Sequence, residues 1–417
     1  MSWPDVAISE VCILAVDCIN KTAPIVEYET PYKMLRTTNV RGGFVDVENV
    51  RYVTEETFEK WNRRATPRRG DVILTREAPL GDVGRLTSDD NVFLGQRLFL
   101  YRADEKKLDS LYLAYVLQSP VVQGRFKSKG FGATVQHAKV GDCENLLIPY
   151  PPLSIQKKIG SILSSYDDLI ECNRRRVKLL EESARLLYQE WFVDLRFPGH
   201  EQVQFIDGVP EEWKDTEIGS LCSIKHGFAF KGEYFSDEET SKFLLTPGNF
   251  KVGGGLKFDK KKFYAEDGPI PEEYVLSEND LLITMTDLSK MSDTLGYPMF
   301  VPKFEGTDFL HNQRLGLVVP SIEGFPKYFF YHLFQDYRYR AYVVGSATGT
   351  SVKHTAPKKI AGFKLCIPDI HSNLITLFNE YSESIYKQIS TLTVQNHKLA
   401  RARDILLPKL MSGELTV

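Results

Sequence analysis

IQKKIGSILSSYDDLIECNRRRVKLLEESARLLYQEW, residues 155–191, places Ile155, Ile159, Ile162, Tyr166, Ile170, Asn173, Val177, Leu180, Ala184, Leu187 and Trp191 at steps of four and three. Such steps keep one helical face pointing one way and predict a long amphipathic helix. Adding 219 to each position lands on residues 374–410, where Leu374, Phe378, Tyr381, Ile385, Ile389, Leu392, Asn396, Leu399, Arg403, Leu406 and Leu410 repeat the pattern. Both stripes carry two consecutive four-residue steps at the same point, an irregularity that locally relaxes a left-handed supercoil. Two long stripes in one phase, closing equal halves of the chain, predict a helix pair in a duplicated protein. The expected seam comprises Ile159, Ile162, Tyr166, Ile170, Asn173, Val177, Leu180 and Leu187 on the first helix. On the second it comprises Phe378, Tyr381, Ile385, Ile389, Leu392, Asn396, Leu399 and Leu406. A seam Asn commonly fixes register, and Asn173 and Asn396 are expected to do so.

The duplication extends ahead of each helix. AISEVC (7–12) answers EIGSLC (217–222), MLRTTNVRGGFVD (34–46) answers LLTPGNFKVGGGL (244–256), and GDVILT (70–75) answers NDLLIT (279–284). Further on, LGQRL (94–98) answers HNQRL (311–315), and GATVQH (132–137) answers GTSVKH (349–354). Short β-branched runs read as strands and Gly and Pro punctuate the loops, so each half is a small mixed α/β domain that launches a long helix from a Pro turn. The expected division is a domain over 1–150, a helical segment over 151–197, a second domain over 198–368 and a second helical segment over 369–417.

Bulk properties narrow the class. With 417 residues, 42% hydrophobic and 12% aromatic, the chain can bury several cores. Its six cysteines lack CxxC pairing and zinc-finger spacing, so neither a structural metal nor a redox motif is expected. A formal net charge of −3 argues against attachment to nucleic acid by bulk charge, and any such contact must be local. No apolar run approaches a bilayer span and the N-terminus does not read as a signal peptide, so a cytoplasmic protein is expected, away from membranes.

These landmarks resemble the specificity (S) subunit of type I restriction-modification systems. The resemblance covers nearly the whole chain. Its most specific pieces are IPYPPLSIQKKIGSIL (148–163), LIECNRRRVKLLEESARLLYQEWF (169–192) and LLPKLMSGEL (406–415), joined by GDVILTR, the GQR and NQR triplets and the GAT and GTS loops. Where the family pattern is PPLxEQ, this chain has PPLSIQ at 151–156 and PDIHSN at 368–373, so the second helix starts less typically. The resemblance implies an α+β fold: two pseudo-symmetric target-recognition domains joined by two long antiparallel helices that form a coiled-coil spacer. It implies a non-catalytic subunit that chooses double-stranded DNA for two methyltransferase (M) subunits and, through the complex, for restriction (R) subunits. S-adenosylmethionine, ATP and Mg²⁺ are then expected on the partners, with no cofactor on this chain. The residues agree independently. The chain has no NPPY- or DPPY-like tetrapeptide, no FxGxG loop, no GxxxxGK[ST] loop and no HExxH.

Readout of bases needs forked donors or amides, backed by phosphate contacts. Such residues beside Gly make the candidates: Arg36, Thr37, Asn39, Arg41, Arg76, Gln96, Arg97, Thr134, Gln136 and His137 in the first domain. In the second they are Asn249, Lys251, Thr286, Gln313, Arg314, Thr350, Ser351, Lys353 and His354. Positions that differ between halves, Arg76 against Met285 or Gln136 against Lys353, suit readers of different half-sites, whereas Gln96-Arg97 and Gln313-Arg314 could equally be structural hubs. The row Leu163, Leu169, Leu179, Leu186 and Val193 suggests a further apolar face on the first helix, suited to M subunits or to cover by the recognition domain's own surface. Arg174, Arg175 and Arg176 read as a solvated face by default, the other reading being contact with an M subunit or with phosphate. A coiled-coil adaptor that binds protein, and a fused restriction-methyltransferase, are the alternatives; the second needs the missing catalytic motifs.

Overall fold

Val72–Arg76 and Leu98–Ala103 are almost wholly apolar runs rich in β-branched and aromatic residues, the composition of strands buried on both faces. They pair antiparallel, Leu98 opposite Thr75 and Tyr101 opposite Val72. In the computed structural model, which describes residues 3–132, 136–258, 260–287, 289, 292–350 and 352–417, the chain divides into two compact units. One is Met1–Glu171 with His397–Val417; the other is Cys172–Asn396. These divisions fall inside both long helices, whereas the sequence suggested cuts at 150/151, 197/198 and 368/369. Each half of each helix packs on its own globular part.

In the first unit the two strands lie in a six-stranded sheet ordered Cys12–Asp17, Leu98–Ala103, Val72–Arg76, Leu80–Arg85, Gly43–Val45, Val40–Arg41. A three-stranded sheet sets Lys33–Leu35 between Arg51–Tyr52 and, in parallel, Val92–Leu94. Asp5–Ala7 pairs with Leu147–Pro149. The helices Ser110–Gln118 and Pro120–Lys127, capped by Asp109 and Ser119, bring Tyr112, Leu113, Val116 and Phe126 against Leu74, Phe99 and Tyr101.

The second unit repeats the plan. Cys222–His226, Leu315–Pro320, Leu281–Thr284 and Pro298–Phe300 follow one another in a sheet. Lys242–Leu245 runs parallel to Asp308–His311 and antiparallel to Phe263–Tyr264, and Lys214–Glu217 pairs with Lys364–Ile367. A parallel pair embedded in otherwise antiparallel sheets, at matching places in both units, is hard to reach except by duplication.

The first long helix is Leu153–Tyr188, continued by a π-turn over Gln189–Val193; the second is Asn373–Ser412. In the first unit Ile159 and Leu163, near the start of one, share a core with Leu410 and Met411, at the end of the other. In the second unit Tyr188, Trp191 and Phe192 meet Phe378, near the start of the second helix. The helices therefore run antiparallel in both units. Of the expected seam, Ile159, Ile170, Asn173, Phe378 and Leu392 are buried, and Ile162, Tyr166, Val177, Leu180, Leu187, Ile385, Ile389, Asn396, Leu399 and Leu406 are half-buried. Tyr381 is 52% exposed, a departure from the periodicity. The buried ladder there is Ile375, Phe378, Ser382 and Tyr386. Its cause is Tyr386, drawn among Phe300, Tyr328 and Tyr331, with its hydroxyl 3.1 Å from His332 Nε2. The helix face turns to serve this aromatic nest as well as its sister helix.

Candidate nucleic-acid interface

In the first unit three loop segments that are far apart in sequence are woven together by backbone hydrogen bonds. Arg76 N donates to Arg97 O (2.8 Å) and Ala138 N to Arg76 O (3.0 Å), while Phe131 and His137 exchange bonds of 3.1 and 3.0 Å and Glu77 bridges to His137. The second unit makes the same weave. Met285 N donates to Arg314 O (2.9 Å), Thr355 N to Met285 O (3.0 Å), Thr348 and His354 exchange bonds of 2.9 Å each, and Thr286–Asp287 pairs with Lys353–His354. The loop glycines are dictated by backbone shape. Gly132 and Gly349 have φ of +119° and +99°, and a Cβ on Gly349 would lie 2.0 Å from Val352 O.

The side chains on this shared frame differ. In the first unit Arg97 Nε stands 3.0 Å from Glu77 Oε2, the His137 ring packs 3.8 Å from the Phe131 centroid, and Lys139 Nζ lies 5.2 Å from that same centroid. Thr37 Oγ1 donates to Ala78 O (2.9 Å), tying the 34–46 landmark segment to the same end, and Gln136 is exposed. In the second unit Thr286, in the place of Glu77, is buried with its hydroxyl 3.0 Å from His354 Nδ1. Gln313, Arg314, Thr350 and His354 are exposed there, and Lys353 is half-buried.

Residues 2–182 match the family described as the type I restriction modification DNA specificity domain. The chain is 25% identical over 382 residues to the type I restriction enzyme MjaIX specificity subunit of Methanocaldococcus jannaschii, covering 88% of this chain and 82% of that one. It is 21% identical over 407 residues to the HindI specificity subunit of Haemophilus influenzae, covering 84% and 87%. The crystal structure of the type I restriction-modification system S subunit from M. genitalium shares the fold, with a TM-score of 0.54 at 18% identity over 99% of this chain and 96% of that chain. Over most of its length this chain is thus similar to type I specificity subunits.

Several of the candidate readers also carry structural contacts. Asn39 and Asn249 are buried hubs: each Oδ1 accepts from the backbone N of Arg36 or Thr246 (2.9 Å each), and each Nδ2 donates to a carbonyl, Asn49 O (2.9 Å) or Lys260 O (2.8 Å). Their amides are consumed in holding equivalent turns. Of the pair Arg76 and Met285, Met285 is core, and Arg76 is half-buried and leans inward, Nη1 3.4 Å from Ala138 O and close to Cys143, whose thiol burial pushes up to about 12. Lys251 lies beside Glu181 of the first long helix; burial raises the Glu181 carboxyl and Lys251 eases it. Arg36 reaches Asn49 O (3.3 Å), Arg41 is exposed, and Gln96 is half-buried. Thr134 and Ser351 lie outside the described residues.

Sequence reasoning passed over Glu77, Phe131 and Asp287. Asp287 is buried; burial raises its carboxyl, but bonds from Ser289 and Thr294 hold it below the usual range and anchor the loop that follows. Glu77 was legible as the residue after Arg76 at a strand end, although nothing in the sequence pairs it with Arg97. Leu163 belongs to the first unit's core, whereas Leu169, Leu179 and Leu186 are exposed, Leu179 at 71%, as are Arg174, Arg175 and Arg176. Among the described residues no helix is long and apolar enough to cross a membrane, and no group of three or more His, Cys, Asp or Glu could hold a metal ion.

Proposed function

We propose that this chain selects the DNA sequence for a type I restriction-modification complex, each globular part reading one half of an asymmetric two-part target. The observation that carries this reading is the repeated weave: one backbone frame, twice, with different side chains on it. Two identical readers would match a palindrome; two unlike readers on one plan match unlike half-sites. The paired helices set the number of unread base pairs between the halves. The exposed Leu169, Leu179 and Leu186 row supports docking of M subunits, two of them by the chain's internal duplication, with R subunits joining through the complex. Methylation and cleavage, and with them S-adenosylmethionine, ATP and Mg²⁺, belong to those partners. The complex works in the cytoplasm, where the DNA is.

The test is to co-express the chain with its M subunits and map methylated adenines genome-wide. A gapped motif with two different halves is expected, and replacing residues 1–150 by those of a relative should change one half only. Absence of a gapped motif, or a change in both halves, would overturn the reading.

A further inference from the structure

The turn Gly95-Gln96-Arg97 holds Arg97 at φ +71°, a left-handed conformation that glycine or asparagine adopts at much smaller cost. Its counterpart Arg314, on the same weave, is not among the residues with positive φ. Arg97 is also the one of the two that meets a carboxylate. Its Nε is 3.0 Å from Glu77 Oε2, and the side chain remains 48% exposed. Thr286 replaces Glu77 in the second unit, and among the described residues no carboxylate pairs with Arg314. An exposed ion pair adds little stability, so it does not explain a strained backbone kept for an arginine. What the pair does do is fix a fork. With the guanidinium in ion-pair contact with Glu77 through its Nε side, no hydrogen-bond acceptor among the described residues takes the two terminal nitrogens, which stay available together at the spacing that matches the O6 and N7 of guanine.

Resting on the two-reader proposal above, we propose that Arg97 reads a guanine in the first half-site and that Glu77 is the positioning residue that aims it. Glu77 touches no base. The second unit, with threonine at that place, leaves Arg314 unbraced, so the half-sites differ at this position because the brace differs while the arginine is common to both.

The experiment uses the full chain assembled with its M subunits and duplexes carrying the wild-type methylome motif. Each guanine of the first half, on either strand, is replaced singly by 7-deazaguanine, which lacks the N7 acceptor. Arg97→Lys keeps the charge and discards the fork; Glu77→Gln keeps an acceptor and discards the ionic brace. At one guanine the analogue should weaken wild-type binding roughly 10- to 100-fold, with no further loss in Arg97→Lys. The Arg97→Lys methylome should accept other bases at that position, and Glu77→Gln should relax the same position more weakly, the other half of the motif remaining intact in both. Three results would each overturn the proposal: a first half without guanine, an Arg97→Lys methylome unchanged at every position, or equal weakening on cognate and unrelated DNA, which is the behaviour of a phosphate contact. Failure of the two-reader proposal is separately visible, because replacement of residues 1–150 would then not change one half alone, whatever Arg97 does.

Discussion

Asn173 Nδ2 donates to Asn396 Oδ1 at 3.0 Å across the two long helices. The two are not equivalents in the duplication: Asn173 corresponds to Leu392 and Asn396 to Val177. A polar pair in an apolar seam is satisfied in one register only, and sliding either helix strands both amides. Asn173→Leu should lower stability by about 1–2 kcal/mol, since it removes one partner of a part-buried bond. The double replacement Asn173→Leu with Asn396→Leu should recover most of that loss. Guanidinium unfolding midpoints of the four proteins measure it, and an additive double mutant would rule out the pairing as a unit.

Asp167 ties the first unit's globular part to both helices. Its Oδ2 accepts from Tyr115 OH (2.5 Å) and its Oδ1 from Arg403 Nη1. Asp167 is buried and Arg403 only partly exposed, so Arg403→Leu should leave an uncompensated charge and cost about 2–4 kcal/mol, more than the roughly 1 kcal/mol expected for Tyr115→Phe. Comparable losses in the two variants would show that the charge is already solvated.

The departure from PPLxEQ at the second helix has a structural consequence. Gln156, buried at the start of the first helix, accepts from Asp109 N (3.0 Å) and donates to Pro151 O (2.9 Å) and Lys107 O (3.2 Å). The equivalent position of the second helix has no such glutamine; Ser372 Oγ accepts from Ile375 N (3.4 Å) and Asn373 is exposed. Gln156→Ala should cost about 2–3 kcal/mol, whereas Asn373→Ala should change stability by under about 0.5 kcal/mol. Thermal unfolding of each variant decides between this asymmetry and two equivalent starts.

Phase was the legible part of this chain. Helix length, the existence of a helix pair and the order of the paired landmarks follow from periodicity and self-similarity, which survive because they report the average environment of many residues, whereas the antiparallel sense of the pair comes from the family resemblance. What periodicity could not report is a helix that serves two neighbours, as Tyr386 shows by turning inward while Tyr381 faces out. Residue type was equally silent on whether an amide is spent. Asn39 and Asn249 look like base readers, yet their hydrogen-bonding capacity is consumed by their own turns. Glu77 and Arg97 meet only through the fold, 20 residues apart in sequence and on different strand ends.

If the helix pair sets the gap, shortening it should shorten the gap alone. Residues 174–180 of the first helix and 389–395 of the second flank the Asn173–Asn396 pair on the same side, given the antiparallel arrangement. Deleting both segments removes seven residues from each helix, about 10 Å at 1.5 Å per residue, which is at most about three base pairs of DNA. The methylome of this variant should keep both half-motifs with a smaller spacing. An unchanged gap would mean that the spacing is set elsewhere.

Two histidines give the fold a pH dependence of known sign. Burial pushes His311 down to about 4, although Leu315 O, 3.0 Å from its Nε2, favours the proton; burial likewise pushes His332 to about 3, between Gln335 and Tyr386. Because the unfolded chain protonates near 6.5 and the fold resists, stability is fully present above that value and is lost as pH falls toward 4 for His311 and 3 for His332. At 1.36 kcal/mol per pH unit, each costs about 2 kcal/mol between pH 7 and pH 5. Glu105 and Glu181, raised by burial, work in the opposite direction, so the measurement is a difference between variants. Relative to wild type, His311→Gln and His332→Gln should each remove about 2 kcal/mol of the change in unfolding free energy between pH 7 and pH 5. Urea titrations at the two pH values test this, and a variant that keeps the full wild-type pH dependence would show that its histidine titrates normally in the folded chain.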